Sequence, residues 1–225
     1  MTKTAIMIKV IVFDFDDTLV RSERIKQNSF IDIFHDVRGA ESLVRASVAG
    51  NIGKPRSDVI SSVLKKLQEN GFFVKANTVA LLDYYLDSYA QLTRERVVNA
   101  PEVLGVVDTF KKISKIYHCY INSATPDNAI KQIIQLKNWS SYFYGVFGSP
   151  PGTKTGNIQR ILSQERINGA EMLIISNDLS DWRIAKRFKT QFIGVTGEFS
   201  DWKKADNILV ASDLQGLPAI IANLK

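Results

Sequence analysis

From Pro101 onward the sequence alternates short apolar runs with amphipathic stretches of helical period, and that single pattern excludes most folds. Helices are expected at Val103 to Ile116, Asp127 to Lys137, Thr155 to Arg166, Ser180 to Phe188 and Leu214 to Asn223. Strand-like runs lie between them at Tyr117 to Asn122, Tyr144 to Phe147, Met172 to Ser176, Phe192 to Val195 and Asn207 to Val210. Strands separated by helices of about 10–15 residues are joined by crossovers, and crossovers give a parallel sheet with helices on both faces. Lys9 to Phe13, a β-rich run that ends in acids, reads as the first strand of that sheet. Ligands of such sheets bind beyond the carboxyl ends of the strands, so chemistry is expected just after each strand.

Residues 20–98 follow a different rule. From Ser22, the residues Ile25, Phe30, Ile33, Phe34 and Val37 share one helical face, and Gly39 is a natural stop. Ser57 is expected to cap a second helix with Ile60, Val63, Leu64 and Leu67 inward and Gly71 at its end, and a third runs from about Asn77 to Val98. No strand signal, repeat or Gly/Ser-rich linker interrupts the block. The expected organisation is therefore an α/β core of residues 1–19 and 100–225 with an inserted all-helical domain of residues 20–99.

Composition narrows the function classes. With 45% hydrophobic and 23% charged residues, the 225-residue chain can bury a substantial interior. Its longest apolar runs fall far short of the ~20 residues that span a bilayer, so no membrane partner is expected. The start of the chain carries Lys3 and Lys9 around a short apolar stretch without a cleavage site and reads as the approach to the first strand. The single Cys119 sits in a strand-like run and cannot form an internal disulfide, which points to a reducing cytoplasm. The net charge of +6 is spread over a few adjacent pairs such as Lys65-Lys66 and Lys111-Lys112, so no nucleic-acid partner is expected. A small anionic substrate fits the balance equally well.

The strand ends carry the chemistry. Asp14 and Asp16 close the first strand, two apart and thus on one side of an extended chain. Two such carboxylates cannot both ionise cheaply, so either a cation joins them or one keeps its proton. An ionised Asp14 can attack phosphorus, while a protonated Asp16 can give its proton to a departing alcohol and later take one from water. The second strand ends in Asn122-Ser123-Ala124-Thr125-Pro126, where a short hydroxyl can donate to a phosphoryl oxygen; Thr125 and Asp127 read as an ordinary helix start. The third ends in Gly148 to Lys154, a lysine suited to hold phosphate beside carboxylates. The fourth ends in Ser176-Asn177-Asp178-Leu179-Ser180-Asp181, whose oxygen ligands suit Mg²⁺.

These four segments, in this order, resemble the haloacid dehalogenase superfamily of phosphatases and phosphotransferases, similar to phosphoglycolate phosphatase-like hydrolases. Asp14, Asp16 and Thr18 match the first signature in full, and the helical insertion is similar to the family's substrate-selecting cap. The resemblance implies Asp14 as nucleophile and metal ligand, and Asp16 as general acid/base that also binds Mg²⁺ through its backbone carbonyl. It implies Thr18, Ser123, Ala124 and Lys154 as the groups that orient the nucleophile and the phosphoryl group. One departure stands out: Asn177 occupies the place of the family's first acid and Ser176 that of its glycine. Asn177, Asp178 and Asp181 therefore all stay candidates for the last Mg²⁺ ligand, with the charged pair favoured.

The leading expectation is a Mg²⁺-dependent phosphatase for a small phosphorylated metabolite, acting through an aspartyl-phosphate. Dehalogenation is disfavoured because a halide leaves without a proton and Asp16 would have no task. Phosphomutase, phosphotransferase or phosphonate-hydrolase chemistry, or phosphate binding without turnover, are the alternatives. Lys54 and Arg56, on the Gly50 to Arg56 loop, are expected to meet a second anionic group of the substrate. A monomer or homodimer is expected, with His35 and His118 incidental and Trp182 and Trp202 as packing residues.

Overall fold

The computed structural model describes residues 7–51, 54–74, 76–205 and 208–224. The chain divides into two compact units, Ser22–Ala100 and the remainder on either side of it.

The inserted unit is helical: α1 (Glu23–Asp32), α2 (Glu41–Ala49), α3 (Arg56–Glu69) and α4 (Thr78–Val98). Its interior is built from Phe34, Val44, Val59, Ile60, Val63, Leu64, Leu67, Tyr85 and Tyr89. Phe30 stacks on Tyr89 and Phe34 on Tyr85, each pair with ring centroids 4.1 Å apart. The helix α2 is absent from the sequence expectation. Gly39, at a φ of 79°, breaks the preceding pattern, and Ala40 at the N-cap has no side-chain oxygen to announce a new helix. Only the buried pair Val44 and Val48, four apart, records it. Ser57 does not cap α3: Pro55 stands at the N-cap and Ser57 is the second helical residue, its hydroxyl donating to Asp58. Asn77 does cap α4, accepting from the N–H groups of Val79 and Ala80.

The other unit holds the sheet: β1 (Val10–Phe13), β2 (His118–Asn122), β3 (Gly145–Phe147), β4 (Met172–Ser176), β5 (Gln191–Val195) and β6 (Leu209–Ala211). The order is β3-β2-β1-β4-β5-β6 and every neighbouring pair is parallel. Around it lie α5 (Val106–Ile113), α6 (Asp127–Leu136), α7 (Lys154–Glu165), α8 (Leu179–Phe188) and α9 (Leu217–Ala222). Side chains of β1 alternate between the two faces, as a strand's must. Val10 and Val12 pack with Ile158 and Ile161 of α7 and Ala185 of α8, whereas Phe13 meets Phe110 of α5 edge-on. This is the parallel α/β sheet that the alternation predicts, with element ends displaced by a few residues. Asn207, the expected start of the last strand, lies outside the described residues, as do residues 1–6.

The two passages of chain that leave and re-enter this unit run side by side. The Arg21 N–H donates to the Pro101 carbonyl at 2.8 Å and the Val103 N–H to the Leu19 carbonyl at 2.9 Å. Among the described residues, no helix is long and apolar enough to cross a membrane.

Candidate active site

Strand order reverses between β1 and β4, the position where an open parallel sheet leaves a crevice at its carboxyl edge. Asp14 prolongs β1 by one residue, its N–H donating to the Ile175 carbonyl of β4 at 2.9 Å. Asp17 then takes a φ of 53°, a left-handed conformation that aspartate tolerates better than most residues, and the chain folds back. The Asp17 N–H donates to the Val20 carbonyl at 2.7 Å, and the turn returns the buried Thr18 hydroxyl to Asp14 Oδ2 at 3.3 Å. The Asp17 carboxylate, to which the sequence assigns no task, accepts from the Glu198 N–H at 3.0 Å and ties the turn to the segment after β5.

Lys154 provides the counter-charge. Its Nζ lies 2.6 Å from Asp14 Oδ1 and 2.7 Å from Asp181 Oδ2, all three side chains being largely buried. Burial pushes the Asp14 carboxyl up to about 7; Lys154 pulls it down, and Asp181 and Asp16 add to the rise. Burial works against the lysine's charge as well, but the two carboxylates outweigh it and hold the ammonium above the ordinary lysine range.

The lysine is placed by the loop and helix around it. It opens α7, where Thr153 caps the helix by accepting from the Gly156 N–H at 3.0 Å. Asn122, at the end of β2, donates to the Lys154 carbonyl at 3.0 Å and accepts from Asn157 at 3.0 Å, so two amides join β2 to the first turn of α7. Asp127 accepts from the Gly148 N–H at 3.0 Å and donates its own N–H to the Pro150 carbonyl at 3.0 Å. A side chain at 148 would have its Cβ 2.4 Å from Asp127 Cα, so only glycine permits this approach. Asp127 is thus an anchor of the lysine loop, beyond the helix-start role read from the sequence.

The second acid sits in different surroundings. Asp16 is partly exposed, and its Oδ2 accepts from Thr125 Oγ1 at 3.2 Å. Pro126, and not Thr125, occupies the N-cap position of α6. Ser123 is fully buried and its Oγ accepts from the Thr125 N–H at 3.0 Å, which stabilises the turn that presents Thr125. Phe13 lies opposite Ile121 in the β1–β2 register, which sets Asp14 beside Asn122 and brings Ser123 and Ala124 to the same sheet edge.

The fourth segment divides its labour in a way the sequence does not disclose. Ser176 donates to Asp181 Oδ2 at 2.6 Å, so Asp181 is held between Ser176 and Lys154 as the lysine's second carboxylate. Asp178 is the N-cap of α8; its Oδ1 accepts from the Ser180 N–H at 2.7 Å and its Oδ2 from the Ser180 hydroxyl at 2.9 Å. Asp178 and Asp181, the acids favoured as Mg²⁺ ligands, thus make their side-chain contacts to Ser180 and to Ser176 and Lys154 respectively. The side chain that reaches the first-strand loop is that of Asn177, whose Oδ1 accepts from Thr18 Oγ1 at 3.0 Å. The same amide atom, facing inward, also lies 2.9 Å from the Asp16 carbonyl oxygen and 3.2 Å from Asp14 Oδ2.

Among the described residues, no three His, Cys, Asp or Glu side chains cluster as a metal site. The donor set here is mixed: one carboxylate oxygen, one backbone carbonyl and one amide oxygen. All are hard oxygen ligands, and octahedral Mg²⁺ with bonds of 2.0–2.1 Å places neighbouring oxygens about 2.9 Å apart. The spacings of 2.9 and 3.2 Å match that requirement, so the residues fit the ion.

Two expected contacts lie in the helical unit. Lys54 is exposed, with its Nζ donating to Asn51 Oδ1 at 2.9 Å, and Arg56 is the first residue of α3; Ile52 and Gly53 of the same loop lie outside the described residues. His118 pairs with Glu165 at 2.8 Å, and Glu165 also accepts from Tyr120, a clasp between β2 and α7.

Residues 11–195 match the family of haloacid dehalogenase-like hydrolases. A search among curated proteins finds no match. Among solved structures, a predicted phosphoglycolate phosphatase from Haemophilus somnus is 18% identical, with a TM-score of 0.73 over 95% of this chain and 97% of the other. A Thermotoga maritima protein assigned as a β-phosphoglucomutase is 13% identical, with a TM-score of 0.74 over 97% and 100%. A Bacillus subtilis protein assigned to the same hydrolases and solved bound to magnesium is 13% identical, with a TM-score of 0.67 over 96% and 99%.

Proposed function

The chain belongs to the haloacid dehalogenase-like hydrolase family, and from that premise we propose that it is a Mg²⁺-dependent phosphatase of small phosphorylated metabolites. The observation that carries the proposal is the unequal setting of its two aspartates. Asp14 is buried against Lys154, while Asp16, two residues on, is partly exposed and held by Thr125. Burial raises the Asp14 carboxyl to about 7, so its ionised, nucleophilic form would be the one that Lys154 and a bound Mg²⁺ together favour, while Asp16 is left to carry the proton.

Asp14 Oδ2 accepts from Thr18 and lies 3.2 Å from the inward amide atom of Asn177, which leaves Oδ1, beside Lys154, to form the bond to phosphorus. As that bond forms, the bond from phosphorus to the alcohol oxygen breaks, and the departing oxygen takes a proton from Asp16. Asp16 then removes a proton from water, whose oxygen displaces Asp14 from phosphorus and releases phosphate. Lys154 offsets negative charge on Asp14 and on the transferring group throughout. Bound Mg²⁺, held by Asp14, the Asp16 carbonyl and Asn177, would supply further charge compensation for the phosphoryl oxygens. Lys54 and Arg56 are proposed, on their charge alone, to recognise a second anionic group of the substrate.

The test is phosphate release from an aryl phosphate. Turnover should require Mg²⁺, cease with EDTA and cease in Asp14→Asn. Binding of phosphate without turnover under any divalent metal would refute the phosphatase reading in favour of a binding protein.

A further inference from the structure

The Asn177 side chain has a donor end and an acceptor end, and its surroundings in the site suit the two differently. With Oδ1 inward, it faces the Asp16 carbonyl oxygen at 2.9 Å and Asp14 Oδ2 at 3.2 Å, both acceptors, and only the Thr18 hydroxyl can donate to it. Three oxygens gathered this way repel one another unless a cation lies among them. Turned about its last bond, the amide sets Nδ2 at 2.9 Å from the Asp16 carbonyl, 3.2 Å from Asp14 Oδ2 and 3.0 Å from Thr18 Oγ1. Both amide hydrogens then find acceptors, and the Thr18 proton goes to Asp14 Oδ2.

We propose that Asn177 is both the metal's ligand and its stand-in: oxygen inward with Mg²⁺ bound, nitrogen inward without it. The inference rests on the reading of this site as a Mg²⁺ site. Its backbone stays fixed in either state, because the Asn177 N–H donates to Thr18 Oγ1 at 2.9 Å and its carbonyl accepts from Ser200 Oγ at 2.7 Å. Room for the outward end comes from Gly197, where a Cβ would lie 2.6 Å from Asn177 Nδ2. Only a rotation of the amide is needed, and no segment of chain has to move. An aspartate at this position accepts only; it binds the cation with one more charge and leaves two facing carboxylates when the cation departs. Asparagine therefore gives weaker metal binding and a site that is internally satisfied without metal.

The experiment compares wild type with Asn177→Asp by calorimetric titration with MgCl₂ and by thermal unfolding in EDTA and in saturating Mg²⁺. The variant should bind Mg²⁺ at least about tenfold more tightly, the effect that loss of an outer-shell partner alone produces in metal sites. It should melt below wild type in EDTA and above it in Mg²⁺. Equal Mg²⁺ affinities, or an unchanged order of melting temperatures, would overturn the stand-in role while leaving the metal site intact. Absence of Mg²⁺ binding by both proteins would overturn the metal reading itself, and the stand-in role with it. Should the variant not fold, ¹⁵N-labelled wild type gives the same decision. The side-chain NH₂ protons of Asn177 should show contacts to Thr18 in EDTA that vanish with Mg²⁺, and contacts that persist in both conditions would refute the rotation.

Discussion

Lys154→Met tests the electrostatic centre of the site most directly. The ammonium lies 2.6 Å from Asp14 and 2.7 Å from Asp181, with side-chain exposures of 14%, 7% and 5% for the lysine and its two partners. Removing the cation leaves two buried carboxylates facing a methyl group. Breaking a buried pair in this way costs about 3–5 kcal/mol, because the surviving charge stays uncompensated. That is a large share of the roughly 5–15 kcal/mol by which a folded domain is stable. The cost should depend on pH with a definite sign. Burial already raises the Asp14 carboxyl to about 7 despite the lysine, so the folded state holds a proton that the unfolded chain, with an ordinary carboxyl, has released. Stability therefore falls as pH rises from the unfolded value toward the folded one. Without Lys154 the folded value moves further up and the window widens. Urea unfolding in EDTA should show a larger deficit for the variant at pH 8 than at pH 5.5. Adding Asp181→Asn should destabilise wild type but stabilise Lys154→Met, since in the variant it removes an unpaired charge. A deficit independent of pH, together with an Asp181→Asn effect of the same sign in both backgrounds, would refute the reasoning.

The remaining predictions separate roles at the rim of the site. Asp16→Asn should lower kcat by about 10²–10⁴ for alkyl phosphates, the usual worth of general acid–base catalysis, and far less for an aryl phosphate whose leaving group needs no proton. Thr125→Val should share that dependence on the leaving group at smaller size, and Thr125→Ser should restore activity; steady-state kinetics with paired substrates checks both. Gly148→Ala forces a Cβ to 2.4 Å from Asp127 Cα, so the loop must shift. A loss of about 1–3 kcal/mol in denaturant unfolding, with kcat reduced through a displaced Lys154, is the expected outcome.

Legibility followed the range of the interactions. The alternation after Pro101 requires parallel crossovers, and parallel crossovers bring every strand's carboxyl end to one edge, so Asp14, Ser123, Lys154 and the fourth segment could be assigned to a single edge from sequence. What escaped was decided by contacts of two opposite kinds. Some were local and lacked a signal: α2 begins at Ala40 without a capping side chain, directly after a glycine at positive φ. Asp178 is the reverse case, since an acid two residues before Ser180 is a good helix cap, and the fold uses it as one. Others joined residues far apart: Thr125 reaches Asp16 across 109 positions, and Asn177 reaches Thr18 across 159. Charge favours Asp178 and Asp181 as metal ligands, yet the side chain of this segment that lies against Asp14 Oδ2 and the Asp16 carbonyl is that of the neutral Asn177. In a crowded edge of this kind the formal charge of a side chain says less about its role than which donor is nearest to it. At position 177 the nearest donor is the Thr18 hydroxyl, which can bond to either Asn177 Oδ1 or Asp14 Oδ2 but has one proton to give.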